Sequence, residues 1–482
     1  MSDNYRVSST RLFADEAPPH RGAPMPAAQP APARPSDPVR PMTRTGAHPG
    51  VVLALILLGG AACVWLWWHN TPSVNGLGDW LTNAGRITGL LAGYGVVVLI
   101  ALMARIPALE RGIGADNLAR WHSHGGRYTV SLVVTHALLI LWGYSVSAHT
   151  GLVSQAGTLL TSYPDVLMAT VAGGLLVGVG IVSARAARRR LRYETWYYLH
   201  LYTYLAVALA FSHQFATGAE FMHNRTARIV WSTLYAVVGV LLLWYRLLVP
   251  LYQAFRHRLV VQSVHREGRG VVSVVVTGQH VAELQVQAGQ FFRWRILTRG
   301  LWWTSTPYSL SALPLGNAMR VTVKDLGGHS RALAHVRPGT RVLIEGPYGA
   351  VTPARTRNRR VVLIAGGIGI TPVRALVDAL SAEPGRHVTV LYRASTPKDL
   401  IFTTELNAIA AARGIAVHYL IGRRSELGYD PLSTESLRRN IPVLAECDFF
   451  VCGPAPMMQA VIASLRSAKV PKRQIHHESF EF

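Results

Sequence analysis

The sequence predicts a multi-domain membrane protein: a six-helix transmembrane bundle, then a small antiparallel β-barrel, then an α/β nucleotide-binding domain with a parallel sheet. Three observations predict it. Six apolar stretches lie between Val51 and Tyr252. Short β-type runs divided by Gly and Pro follow Arg256. From Arg360, continuous apolar strands alternate with helix-compatible sequence. Composition agrees, since half of the 482 residues are hydrophobic and only 15% are charged, against about a quarter in soluble proteins. Mean hydropathy is +0.23.

Residues 1–49 hold ten of the 27 prolines, with many Ala and Arg. No stretch there resembles a signal peptide, and the segment reads as a disordered tail. The membrane region spans 50–252. Its stretches are Val51–Trp68, Ile87–Ala104, Tyr128–Ser147, Val166–Ala184, Trp196–Ala216 and Ile229–Tyr252. Each approaches the ~20 residues that a membrane-crossing helix needs.

Basic residues set the expected orientation. Arg105, Arg111, Arg120 and Arg127 fall between helices two and three. Arg185, Arg188, Arg189, Arg190 and Arg192 fall between helices four and five, and Arg40 and Arg44 precede helix one. The opposite loops carry only Arg86, Arg225 and Arg228. Positive loops stay inside, so both termini are expected in the cytoplasm and the chain in the cell membrane as a multi-pass protein. The net charge of +23 would also suit nucleic acid. Its clustering at inner loops makes it a topology signal, so membrane lipid is the expected partner and nucleic acid is not. The three cysteines, Cys63, Cys447 and Cys452, cannot form a disulfide framework, and no zinc-like spacing is present.

Two expected helices carry paired histidines. Helix three holds His122 and His136, 14 residues apart; helix five holds His200 and His213, 13 apart. At 1.5 Å per residue these separations are ~21 and ~20 Å. The two helices run in the same direction, so His122 lies level with His200 and His136 level with His213. An intramembrane histidine is costly and usually functional. Two planar metal macrocycles, each held by one His from each helix, fit that ladder. Bis-imidazole ligation suits electron transfer, because it leaves the iron no open position. Thirteen residues miss the same helical face by about 140°, so a π-bulge or local distortion is expected in helix five between His200 and His213. His124 competes with His122 but gives a poorer depth match and is assigned to the interface. His69, His149 and His223 are expected in outer loops.

The soluble half begins near Arg256. Residues 256–355 carry β-type runs at Leu259–Val264, Val271–Thr277, Phe291–Arg295 and Met319–Lys324, which suggest the barrel. Residues 358–482 carry strands at Val361–Ala365, Val388–Tyr392, Val417–Ile421 and Phe449–Cys452. Gly366, Gly367 and Gly369, with Thr371 and Pro372, lie between the first of these strands and a helix. Backbone amides at such a junction bind diphosphate. At the end of the second strand, Arg393 and Ser395 replace the acidic residue that would favour NADH, so NADPH is expected, with NADH possible. Arg423 and Arg424 stand ready to assist.

These motifs together resemble the ferric reductase and NADPH oxidase superfamily. The resemblance rests on Arg120-Trp121-His122 with His136, and on Glu194-Thr195-Trp196-Tyr197-Tyr198-Leu199-His200 with His213. The soluble half resembles ferredoxin-NADP reductase type flavin and nicotinamide domains. The resemblance implies FAD, NADPH and two heme b groups on the four histidines. In Thr306-Pro307-Tyr308-Ser309-Leu310 it implies that Tyr308 packs on the flavin and the Ser309 hydroxyl reaches its N5 region. Thr306 departs from the family's usual His or Arg. Gly327-Gly328-His329-Ser330 resembles the diphosphate turn, to which Arg331 adds charge, and Glu345–Gly349 resembles the segment closing the flavin domain. Cys452-Gly453-Pro454 resembles the nicotinamide-side motif, with the Cys near the hydride path. Phe480, or alternatively Phe482, resembles the C-terminal aromatic that covers the flavin. The implied activity is electron transfer from cytoplasmic NADPH to an external acceptor, either ferric iron, a ferric chelate or O2 giving superoxide. His223 and Arg225 are weak candidates for shaping the acceptor site. A membrane-anchored flavin reductase with structural histidines and no heme is the alternative. The oligomeric state stays open.

Overall fold

The structure is a computed structural model that describes residues 46–482, apart from residues 72, 185–190, 192, 223, 442 and 479–482. Most of the expected proline-rich tail, the arginines at 185–190 and 192, His223, Phe480 and Phe482 therefore lie outside the described residues.

The first half is helical. In order come α1 (Pro49–His69), α2 (Leu77–Met103), the short α3 (Pro107–Ile113), α4 (Ala115–Ser147), α5 (Leu152–Ser162), α6 (Val166–Ser183), α7 (Tyr193–Ala216), α8 (Arg225–Leu243) and α9 (Val249–His257). Among the described residues, five helical runs are long and apolar enough to cross a membrane: α1, α2, α4, α6 and the run Arg225–His257. Large apolar side chains such as Leu58, Leu138, Ile181 and Val240 point outward on them, as lipid-facing surfaces do. The expected fifth span forms α7, 24 residues long. Its tyrosines, histidines and glutamine keep it outside that apolar class. Six spans were expected and five meet the length and composition requirement.

Three further expectations need correction. Helix α4 starts at Ala115, not near Tyr128, so Arg120 and Arg127 are helical rather than in a loop. Backbone hydrogen bonding continues past the apolar stretch because water tolerates a charged helix end. Arg86 lies inside α2 and Arg225 and Arg228 inside α8 for the same reason. The π turn expected in helix five is absent, since α7 is regular α-helix from Tyr193 to Ala216. A π turn occurs instead at Trp244–Leu248. Pro250 explains it: proline lacks the N–H and crowds the carbonyl four residues back, and a widened turn relieves both.

The second half begins with two three-stranded antiparallel sheets. One orders β1 (Val260–Gly268), β2 (Val271–Thr277) and β5 (Ala318–Lys324); the other orders β4 (Thr306–Ser309), β3 (Phe291–Ile296) and β6 (Val342–Tyr348). They share a core that includes Val261, Val274, Phe292, Trp294, Val321 and Ile344. Isolated bridges Val260↔Arg341 and Leu310↔Val321 link them.

A five-stranded parallel sheet follows. Its strands are β7 (Arg360–Gly366), β8 (His387–Ala394), β9 (Ala416–Ile421), β10 (Cys447–Cys452) and β11 (Ile475–His477), in the order β11-β10-β7-β8-β9. Residues Val361–Gly366 are all buried, because helices cover both faces of such a sheet. Helices α10 (Ile370–Ser381), α11 (Thr403–Arg413) and α12 (Ala455–Ser467) supply the cover. The order reverses between β7 and β10. In open α/β sheets that reversal opens a crevice at the carboxyl ends of the strands.

Salt bridges tie the two soluble modules together. Arg320 on β5 makes a bidentate pair with Glu405 on α11 (2.7 and 2.9 Å), and Arg374 on α10 also reaches Glu405 (2.9 Å). Burial pushes the Glu405 carboxyl up, but Arg320 and Arg374 more than offset it and hold it below its ordinary range.

Candidate functional site

The four intramembrane histidines meet in two pairs. The His122 and His200 ring centres are 5.9 Å apart, and those of His136 and His213 are 6.4 Å apart. A metal–imidazole bond is about 2 Å, so two imidazoles facing one metal have ring centres about 6 Å apart. The interplanar angles are 67° and 62°.

The second ring nitrogens decide what these pairs can hold. His122 Nδ1 lies 3.1 Å from the Leu99 carbonyl and His136 Nδ1 lies 2.8 Å from the Gly85 carbonyl, both on α2. A carbonyl only accepts, so Nδ1 carries the proton and the Nε2 lone pair is left for a metal. Thr217 Oγ1 donates to the His213 carbonyl (3.1 Å), so it accepts from His213 Nδ1 (3.0 Å). His200 Nδ1 lies 3.4 Å from Ser183 Oγ, which accepts from Trp196 Nε1 at 3.1 Å. Trp196 also stacks on His200 at 5.2 Å. These anchors are the outer supports that metal-ligating histidines need, and the residues present fit a heme iron at each level. His124 is exposed, with Nδ1 2.7 Å from the Arg120 carbonyl.

Glycines make room for this arrangement. A Cβ at Gly89 would lie 2.5 Å from His136 Nδ1, and one at Gly95 would lie 2.6 Å from Thr129 Oγ1. Helices α2 and α4 can therefore pack closely while the His136 ring sits between them. An apolar cavity of about 400 Å³, lined by Val97, Tyr204, Phe211, Tyr235 and neighbours, flanks the stretch of α7 between its two histidines. Near the His136/His213 pair, Arg86 forms a buried ion pair with Glu220 (2.8 Å) and donates to Asn83 Oδ1 (2.7 Å). Glu220 carries no motif and escaped the sequence reading.

The nucleotide motifs converge at the β7/β10 crevice. Gly367 and Gly369 form a 3-10 turn between β7 and α10, and Pro372 falls in the first turn of α10. Thr371 Oγ1 donates to the Ile368 carbonyl (3.1 Å). A Cβ on Gly369 would meet the Cys452 carbonyl oxygen at 2.3 Å and Gly453 Cα at 2.7 Å. A Cβ on Gly366 would meet Met457 Sδ at 2.4 Å, in the helix that follows Pro454. Glycine is thus required for the two loops to approach. Gly369→Ala is expected to raise the KM for the reduced nicotinamide nucleotide roughly tenfold or more, and steady-state kinetics at saturating acceptor would check it.

At the end of β8, Arg393 Nη1 donates to the carbonyls of Ala394 (2.5 Å) and Leu420 (2.9 Å). Its guanidinium is folded onto the sheet edge, and Ser395 beside it is exposed.

The flavin-motif residues occupy β4 and its surroundings. Ser309 pairs with Phe291 and Tyr308 with Phe292 across β3. Ser309 is buried, and Leu310 sits in the core at 2% exposure, so Leu310 supports the strand rather than lining a site. Burial pushes the Tyr308 phenol up to about 12. The Gly327–Ser330 turn is held by Asp325, which accepts from the Gly327 N–H (2.8 Å) and Arg331 Nε (3.0 Å). Ser330 Oγ donates to the Gly327 carbonyl at 2.8 Å. The His329 ring meets Trp303 at 5.7 Å.

One residue missed by the sequence reading stands out. Glu478 is 4% exposed, and its Oε2 has no hydrogen-bond partner. Burial pushes its carboxyl up to about 8, helped by Asp116 and Glu110 of the membrane component. A Cβ at Gly349 would lie 3.0 Å from Glu478 Oε2 and 3.3 Å from Phe291. Burial, with the Glu478 charge, pushes the Cys452 thiol up to about 12. Ser309, Gly349, Cys452 and Glu478 thus share one neighbourhood.

The helical half joins this neighbourhood through the α2–α4 connection and α9. Arg105 pairs with Glu110 (2.8 Å) and lies over the Tyr348 ring at 4.7 Å. Gln253 Nε2 donates to the Gly346 carbonyl (2.7 Å) and Arg355 Nη2 to the Arg111 carbonyl (3.3 Å).

Comparison with known proteins agrees with this layout. Residues 88–211 match the family described as ferric reductase like transmembrane component, and residues 363–462 match oxidoreductase NAD-binding domain. A 3-ketosteroid-9-alpha-monooxygenase, ferredoxin reductase component, from Mycobacterium tuberculosis is 32% identical over 227 residues, covering 45% of this chain and 62% of the relative. A flavohemoprotein from Vibrio cholerae is 31% identical over 217 residues, covering 43% and 54%. The chain therefore spans less than two thirds of the length of these curated relatives. The flavohem-like FAD/NAD binding domain of nitric oxide dioxygenase from Vibrio cholerae is 26% identical, covers 46% of this chain and 98% of that chain, and superposes with a TM-score of 0.39. The chain thus joins a ferric reductase like transmembrane component, residues 88–211, to an oxidoreductase NAD-binding domain, residues 363–462.

Proposed function

We propose that the protein is a transmembrane oxidoreductase that takes electrons from cytoplasmic NADPH, through FAD and two b-type hemes, to ferric iron, a ferric chelate or O2 on the opposite side. The observation that carries the reading is the pair of histidine pairs, each at metal-bridging separation with its Nδ1 atoms engaged. When bound, FAD turns two-electron hydride chemistry into single electrons, and the hemes carry those across hydrocarbon that one heme cannot span.

The chain's own residues divide the work. His122 and His200 hold the inner level, and His136 and His213 the outer. Gly366, Gly367 and Gly369 bring backbone N–H groups to a diphosphate, with Gly453 and Pro454 forming the opposite wall. Arg393 and Ser395 face the adenosine end and favour the 2′-phosphate of NADPH. Tyr308, Ser309, Gly328, His329 and Ser330 line the flavin. Cys452 remains a protonated thiol, so it acts by packing at the hydride path and not as a nucleophile. Phe480 covers the flavin until nicotinamide displaces it. Six helices cross the membrane, with α7 as the sixth, and both termini face the cytoplasm.

The test is NADPH turnover by purified protein with and without oxygen and ferric chelates, with visible spectra recorded throughout. A reducible b-type Soret band and acceptor-dependent oxidation of NADPH support the reading. Flavin reduction with no such band would favour the membrane-anchored flavin reductase.

A further inference from the structure

We propose that the flavin-side module rests on the phospholipid leaflet at the His122/His200 level, through Trp302 and Leu326 with Arg299 at the headgroups. The proposal rests on reading the long helices as membrane-spanning.

Its starting point is a contact between the two halves. The Tyr198 hydroxyl on α7 donates to the Trp303 carbonyl (3.3 Å), and the two rings are 6.5 Å apart. Tyr198 precedes His200 by two residues, about 3 Å along the helix, and follows the start of α7 by five, about 7 Å. The loop carrying Trp303 therefore lies alongside the inner end of α7 and not beyond it. That level is the headgroup region of a bilayer that holds His200 within its hydrocarbon.

The surface around this contact is apolar and open. Trp302 is 60% exposed and Leu326 is 83% exposed. Leu326 stands three residues before His329, whose ring touches Trp303. The same level of α7 exposes Tyr198 and Tyr202. Indole and phenol rings collect at membrane–water boundaries, where one side of the ring is apolar and the other wet. An exposed indole beside exposed tyrosines of a helix end continues such a belt onto the soluble module. Arg299 is exposed in the same loop and suits anionic headgroups.

The experiment uses the full chain in nanodiscs of phosphatidylcholine and phosphatidylglycerol containing acyl-chain nitroxide lipid. A fluorophore is placed singly by Trp302→Cys, Leu326→Cys, Leu58→Cys and Tyr429→Cys, the native cysteines being buried. Leu58 lies on α1 and Tyr429 on the NAD-binding module, and both are exposed. Labels at 302 and 326 are expected to show at least half of the nitroxide quenching seen at 58, and the label at 429 none. Quenching at 58 but not at 302 or 326 overturns the proposal alone. No quenching at 58 removes the spanning reading and the proposal with it. Shielding of the 302 label from aqueous iodide by added FAD in lipid-free detergent would assign the indole to the flavin and also overturn it.

Discussion

On the proposed two-heme reading, His213→Ala is expected to lower bound heme from about two per chain to about one, and to cut acceptor reduction roughly a hundredfold or more, while NADPH still reduces the flavin at the unsubstituted rate. Losing an outer support alone typically costs 10–100-fold in metal affinity or activity, and losing the ligand itself costs more. His136→Ala has the same expected result, because the two rings share one level at 6.4 Å. His122→Ala and His200→Ala remove the inner level instead. Quantitative heme extraction and stopped-flow spectra at the flavin and Soret bands separate the steps. Impaired flavin reduction in the outer-pair variants would show that the halves do not divide the work as assigned.

The second large effect concerns Glu478 and pH. Its carboxyl titrates near 8 in the folded chain because of burial and the nearby Asp116 and Glu110 carboxylates, against 4.5 ordinarily. Between those values the folded state holds a proton that the unfolded state has released. The neutral acid's contribution is thus fully present below pH 4.5 and is lost as pH rises through 8. The difference amounts to on the order of 5 kcal/mol. Thermal stability is expected to fall between pH 5 and 8.5, and Glu478→Gln is expected to flatten that slope, because an amide keeps the shape without the charge. An unchanged slope in Glu478→Gln would place the titrating group elsewhere. Asp448 has the opposite environment. Burial raises its carboxyl, but His476 and the N–H groups of Arg357 and Asn358 (both 2.6 Å) outweigh this and hold it below its ordinary value. Asp448, near the amino end of β10, stays ionised, whereas Glu478, just past the carboxyl end of β11, stays neutral below about pH 8.

The histidine ladder was legible because depth along a helix is a linear function of sequence separation, and membrane helices are nearly parallel. The face each histidine presents was not legible. A 13-residue spacing argued for a distorted α7, yet that helix is regular and both rings meet their partners. Side-chain reach and helix placement absorb the angular mismatch that a period calculation treats as backbone. The glycine turn after β7 was legible from its position between strand and helix. Its partner Cys452-Gly453 was placed by resemblance only, since nothing local announces that Gly369 must clear the Cys452 carbonyl.

By itself the sequence determined that this chain is a membrane protein with a strand-rich and then an α/β soluble half, because apolar run length and residue periodicity are local properties. It also determined which histidines stand level with which. The tertiary structure alone decided the rest: which ring nitrogens are anchored, that Glu220 pairs with Arg86, that Glu478 lies buried near Glu110 and Asp116, and that Trp303 meets Tyr198. Those depend on residues brought from distant parts of the chain into a low-dielectric interior, where a neighbour's charge or carbonyl sets the chemistry and no local pattern records it.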